Sequence, residues 1–271
     1  MPIADLNGTP LAYDEAGAGP AVVLLHAGIA DRRMWAPVAA PLAENHRVVR
    51  YDLRGYGESG LSADEFAHHD DLAALLDHLG IAQAVLVGCS LGGKVAVDAA
   101  LAHPDRVAGL ALFGAPVSGH SWSDELEDLW EATVGEVDER DRMALAAAEV
   151  RFWVVGPDRR PEDIDPALLT LAHEMDLHAL ACEERLAEVP VRELDPPAAD
   201  RLAEIAVPVL ATTGALDIPD VRHLADRLAA EIPDGRRFPD IPGTGHLAPL
   251  ECPGPVTAAL RDFLAEVTTR A

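Results

Sequence analysis

The chain has 271 residues, 49% of them hydrophobic and 4% aromatic, enough to bury a full core in one large domain. Its formal net charge is −25, with Lys94 the only lysine. A surface of that sign repels phosphate polyanions and anionic lipid, so nucleic-acid and membrane partners are excluded in favour of a small-molecule substrate. Oligomeric state is not readable from the sequence. Three cysteines, an odd number without motif spacing, argue against a disulfide framework and a zinc site. No basic and apolar leader and no membrane-length apolar run are visible, so a cytoplasmic protein is expected.

Residues 2–14 read as a hairpin turning at Asn7-Gly8. Residues 21–26 form a continuous apolar run, the pattern of a strand covered on both faces. A helix carrying Met34, Trp35 and Val38 follows, then a strand over 47–52 and the glycine-rich loop 53–59. Residues 66–79 place Leu72, Leu75, Leu76 and Leu79 on one helical face. A strand over 84–89, a helix from Lys94 to 102 and a strand over 107–113 continue the alternation. The rhythm then stops: residues 117–200 have helical patterning without a convincing strand. It resumes with strands over 207–213 and 236–241 and helices over 221–230 and 255–267. The expected architecture is α/β: a mostly parallel sheet with helices on both faces, formed by residues 1–116 and 201–271, with 117–200 inserted as a helical cap.

The chemistry centres on Gly88-Cys89-Ser90-Leu91-Gly92, an apolar strand running through a tight turn into a helix. This is the G-x-S-x-G nucleophile elbow in its required setting. The strained turn projects the Ser90 hydroxyl away from the backbone. Glycines flank it because a Cβ there would collide with the neighbouring strand or helix. The amide of Leu91, at the helix N-terminus, faces any oxyanion formed beside Ser90. A serine also needs a base and a group that orients the base. His246 and Asp217 each follow a strand and complete the order Ser, Asp, His. Asp220 competes with Asp217 for the acid role. Gly28, in the loop after the strand ending at His26, is the second expected oxyanion donor, with Ala27 the alternative. Cys89 reads as a packing residue, and Asp52 and Arg54 as braces between loops. Trp122, Trp130, Phe152, Trp153, Met175 and Leu177 of the cap are candidates for an apolar pocket, and Arg33 or Arg32 for a substrate carboxylate. No metal-ligand spacing or dinucleotide fingerprint occurs, so no cofactor is expected.

Together, His26-Ala27-Gly28 with Arg33-Met34-Trp35, Asp52-Leu53-Arg54-Gly55-Tyr56-Gly57-Glu58-Ser59, the elbow, and Gly243-Thr244-Gly245-His246 resemble the serine α/β-hydrolase superfamily. The arrangement is similar to its 3-oxoadipate enol-lactonase and small esterase branch. Many relatives have His-Gly where this chain has His26-Ala27. The resemblance implies hydrolysis of a small, partly apolar ester or lactone through an acyl-enzyme on Ser90. The alternatives are cyclase, lyase or cofactor-free perhydrolase chemistry on the same scaffold, or a ligand receptor with slow turnover.

Overall fold

The computed structural model describes residues 2–270. Strands β1 (Ile3–Leu6) and β2 (Thr9–Ala16) form the expected hairpin, with Asn7 and Gly8 both at positive φ in its two-residue turn. Next come β3 (Ala21–Leu25), a 3₁₀ turn (Arg32–Trp35), α1 (Ala36–Leu42) and β4 (Arg47–Tyr51). They are followed by α2 (His68–His78), β5 (Ala84–Cys89), α3 (Leu91–Ala102) and β6 (Val107–Phe113). Between β6 and β7 (Val209–Thr212) lie α4 (Asp124–Trp130), α5 (Arg142–Glu149) and α6 (Pro166–Leu186), with wide π-type turns over Glu131–Gly135 and Val150–Val155. The chain ends with α7 (Pro219–Glu231), β8 (Gly235–Arg237), α8 (Ala248–Glu251) and α9 (Pro253–Arg270). No helix among the described residues is long and apolar enough to cross a membrane.

The strands form one sheet in the order β1-β2-β4-β3-β5-β6-β7-β8. Pairing is antiparallel through β2 and parallel from β4 onward. Because β3 lies between β4 and β5, the chain leaves it first toward one edge and then toward the other. That reversal makes the C-terminal ends of β3 and β5 the topological switch point, where open α/β sheets hold ligands. Side-chain alternation along β3 explains the two-sided burial. Val23 and Leu25 pack with Leu72 and Leu75 of α2 and Val95 of α3, whereas Val22 and Leu24 pack with Val38 of α1 and Leu260 of α9.

Two elements depart from the sequence expectation. The last strand, expected over 236–241, is only three residues long, because Pro239 has no N–H to continue the ladder; a single bridge from Gly214 to Ile241 resumes it. Pro208 likewise delays β7 until Val209. The segment between β6 and β7 shares its core with the elements that flank it. Phe152 and Val134 pack on Ile218 and Val221 at the start of α7, while Val150, Val154 and Met175 join the cluster containing Leu24. The helices of this segment are therefore bolted onto the sheet domain over the ends of β5, β6 and β7.

Candidate active site

The elbow is closely constrained. Ser90 has φ 49°, a left-handed conformation costly for a residue with a side chain. Local packing holds it there: the Ser90 N–H donates to the Phe113 carbonyl at 3.0 Å, and its own carbonyl accepts from Gly93 and Lys94 at 2.8 and 3.1 Å. A Cβ on Gly88 would lie 2.4 Å from the Gly92 oxygen, and one on Gly92 would lie 2.3 Å from the Leu25 oxygen. Only glycine lets strand, turn and helix approach this closely. The turn delivers Ser90 and Leu91 to a cavity of about 300 Å³ whose wall also includes Gly28 and His246.

His246 and Asp217 meet beneath that cavity. The imidazole Nδ1 lies 3.0 and 3.1 Å from the two oxygens of the buried Asp217 carboxylate. Asp217 is fixed in turn by the Ile218 N–H at 2.8 Å. A proton on Nδ1 facing a carboxylate leaves Nε2 as the basic nitrogen. Nε2 is buried and has no hydrogen-bond partner among the described residues. Asp220 is engaged elsewhere: its carboxylate accepts from the Ser123 N–H and hydroxyl, both at 2.9 Å, and so anchors the start of α4.

In the loop after β3 the two oxyanion candidates have different surroundings. The Ala27 N–H is directed at the Met34 sulfur at 3.3 Å, whereas Gly28 lines the cavity beside Leu91. The buried His26 braces this loop. Its Nε2 accepts from the Leu53 N–H at 2.9 Å, so Nδ1 carries the proton that is shared with the Ala27 carbonyl at 2.8 Å. Burial lowers the His26 pKa and keeps the ring neutral. The Cys89 thiol is fully buried, its pKa pushed well above the usual range by burial, and its sulfur lies 3.6 Å from the His246 carbonyl oxygen. It is a packing residue, buried before Ser90 at the end of β5. Asp52 and Arg54 are loop braces. Asp52 accepts from the Arg32 and Glu58 amides, both at 2.8 Å; Arg54 forks onto Asp71 with two bonds of 2.7 Å.

Of the cap candidates, Trp122, Trp130 and Trp153 line the cavity. Trp153 lies over the imidazole of His246, ring centroids 4.6 Å apart at 34°. Phe152 is not on this wall: it lies behind it, edge-on to Trp130 and Trp153, because the wide turn presents Trp153 rather than its neighbour to the cavity. Met175 is buried against the sheet. Arg33 is also absent from the wall. It folds back onto Asp31, which caps the 3₁₀ turn and accepts from the Arg33 N–H and guanidinium. Glu149 was not singled out by the sequence reading. It lines the cavity from the end of α5, four residues before Trp153 and on the same helical face.

The alpha/beta hydrolase fold family matches residues 20–157. The chain belongs to this family. Over its whole length it is similar to BpoC of Mycobacterium tuberculosis, whose name carries a provisional assignment as a non-heme bromoperoxidase: 30% identical over 278 residues, covering 95% of this chain and 98% of that one. Among solved structures it is similar to a thermophilic esterase from Thermogutta terrifontis (TM-score 0.77, 29% identity, 96% of this chain and 94% of that one). It is also similar to the enol-lactonase of Burkholderia xenovorans LB400 (TM-score 0.78, 26% identity, 97% and 100% covered). This alpha/beta hydrolase is thus an enzyme with esterase- and lactonase-like relatives.

Proposed function

We propose that this alpha/beta hydrolase cleaves a small, partly apolar carboxylic ester or lactone through an acyl-enzyme on Ser90. The observation that carries the reading is the convergence on one cavity of a strained, half-buried serine and a histidine whose Nδ1 is held by a buried carboxylate. Nε2 of His246 takes the Ser90 proton as the oxygen attacks the carbonyl carbon. Asp217 stabilises the imidazolium that forms, and the N–H groups of Leu91 and Gly28 receive the oxyanion. Collapse breaks the bond to the leaving oxygen, which takes the proton from His246; water, deprotonated by the same ring, then releases the acid. Residues 117–200 act as a lid supplying the apolar walls, and the odd cysteine count favours a cytoplasmic location.

The test is Ser90→Ala assayed on p-nitrophenyl esters of graded chain length, together with fluorophosphonate labelling. Loss of activity by about 10⁴-fold or more and loss of labelling in a folded protein are expected. Activity within about tenfold of the parent would refute the assignment. A second reading is favoured by the similarity to BpoC: perhydrolysis, in which hydrogen peroxide rather than water attacks the acyl-enzyme and a peracid leaves. It predicts peracid formation from acetate and peroxide. A single slow turnover with retained product would instead indicate a receptor.

A further inference from the structure

Two cavities share a wall in this molecule. Beside the catalytic cavity of about 300 Å³ lies a second, of about 460 Å³, within the cap. Val134, Val137, Leu145 and Leu180 give the second cavity its apolar lining. Trp130 and Glu149 line both cavities and so form the partition between them. Each stands where an α-helix widens into a π-type turn, Trp130 at the end of α4 and Glu149 at the end of α5, a kind of backbone irregularity that recurs at functional sites. The Trp130 ring is edge-on to Phe152 at 5.0 Å and lies 6.2 Å from Trp153. Phe152 is buried, so turning the indole aside means displacing a packed ring. The partition also lies on a definite side of the reacting bond. His246 protonates the leaving oxygen, which must therefore sit against Nε2. From that imidazole the wall continues through Trp153, 4.6 Å away, to Trp130. The alcohol portion of an ester thus runs toward Trp130. An apolar cavity of about 150 Å³ holds benzene, so the catalytic cavity holds an ester of roughly a dozen heavy atoms.

We propose that Trp130 determines specificity as a stop that confines the leaving alcohol to short chains, with the space behind it an alkyl-chain site that the indole closes off. This rests on the serine hydrolase reading for which side of the ester faces Trp130, but the space a chain can enter does not depend on turnover.

Butyl and decyl acetate, each below its solubility limit, are compared on the parent, Trp130→Ala and the double variant Trp130→Ala/Val137→Trp. The parent's kcat/KM should fall at least about tenfold from butyl to decyl, because the longer chain does not fit. Trp130→Ala should erase that fall, since each methylene taken into apolar surroundings favours binding by about fourfold. Val137→Trp fills the second cavity from a half-buried position and should restore the fall. The ratio between p-nitrophenyl acetate and p-nitrophenyl decanoate, which differ on the acyl side, should stay within about threefold of the parent's in Trp130→Ala. Equal cleavage of the two alkyl acetates by the parent, an unchanged ratio in the folded single variant, or a change confined to the acyl series would overturn the proposal. Trp130→Leu makes the same comparison if the alanine variant does not fold. Calorimetry with 1-butanol and 1-decanol reads the partition without turnover. Removal of the indole should raise affinity for decanol at least about tenfold and leave that for butanol within about threefold. That gain in a protein that cleaves no ester would count against the hydrolase reading while supporting the partition; no gain would overturn the partition.

Discussion

Removing Arg159 should loosen His246 as well as the protein. The guanidinium is buried between the wide turn that carries Trp153 and the loop that carries His246. It donates to the Val154 and Val155 carbonyls at 2.5 and 3.0 Å, to the Gly243 carbonyl at 3.2 Å, and to Glu251 at 2.5 Å. The other Glu251 oxygen accepts from the Gly245 N–H at 2.9 Å, one residue before His246. A Cβ on Gly245 would fall 2.2 Å from the guanidinium, so loop and side chain are in direct contact. Both partners of the pair are under one-tenth exposed. Arg159→Met should therefore cost about 3–5 kcal/mol, the range for breaking a buried pair from one side, because a buried carboxylate and three carbonyls lose their donor. Burial already raises the Glu251 pKa, with Arg159 opposing it. Without Arg159 the native-state pKa moves further above the unfolded value. Such a group favours the native state below the unfolded value of about 4.3, and the variant's deficit widens as pH rises through the native-state pKa. Urea unfolding of Arg159→Met, Glu251→Gln and the parent at several pH values measures this. On protein assayed well below its melting point, Arg159→Met should lose roughly tenfold in kcat, a misplacement effect. Glu251→Gln, which keeps an acceptor for the Gly245 N–H, should retain most of it. A cost below about 1 kcal/mol, or unchanged kcat in Arg159→Met, would refute the reasoning.

Asp217→Asn should lower kcat by about 10³–10⁴-fold, because an amide cannot accept from Nδ1–H on both atoms. Asp220→Asn should instead weaken the anchor of α4 by about 1 kcal/mol and leave labelling of Ser90 intact; the reverse ranking on p-nitrophenyl esters would overturn the assignment. Stability should also fall as pH drops below about 6.5, because the unfolded chain takes up a proton that buried His26 refuses. A lowered native-state pKa gives full stability above that pH and up to about 1.4 kcal/mol of loss per pH unit below it. Urea midpoints at about pH 7.5 and about pH 5.5 should converge in His26→Gln relative to the parent, and an unchanged slope would remove His26 from the account.

The elbow was legible because its signal is local. Gly88, Ser90 and Gly92 must sit within one strand-turn-helix unit, and Asp217 follows a strand that an apolar run marks, whereas the strand before His246, Gly235–Arg237, carries no apolar run. The ordering of the strands was less legible than their existence, since β3 sits between β4 and β5 through non-local pairing. The pairing of Arg33 was not read from the sequence although its signal is adjacent. Asp31 stands two residues before it, and an aspartate in that position captures the following N–H and any guanidinium within reach. Arg159 lay in a stretch whose Asp, Arg and Pro content reads as exposed loop, and its partner Glu251 is 92 residues away.

The cap wall shows where periodicity stops being sufficient. Phe152 and Trp153 are neighbours of similar character, and an α-helical period cannot say which one faces a cavity when the backbone widens into a π-type turn beneath them. Their fates differ: Phe152 becomes 3% exposed packing behind the wall, and Trp153 becomes the ring stacked on His246. Glu149 belongs to the same face by spacing, yet a charged residue in a helix is ordinarily a solvated one. Its burial beside indoles only follows once α5 is packed against the rest of the molecule. Ser90 and His246 reach the cavity from loops of the sheet, whereas Trp122, Trp130, Trp153 and Glu149 reach it from residues 117–200, whose orientation comes from tertiary contacts that a helical period does not encode.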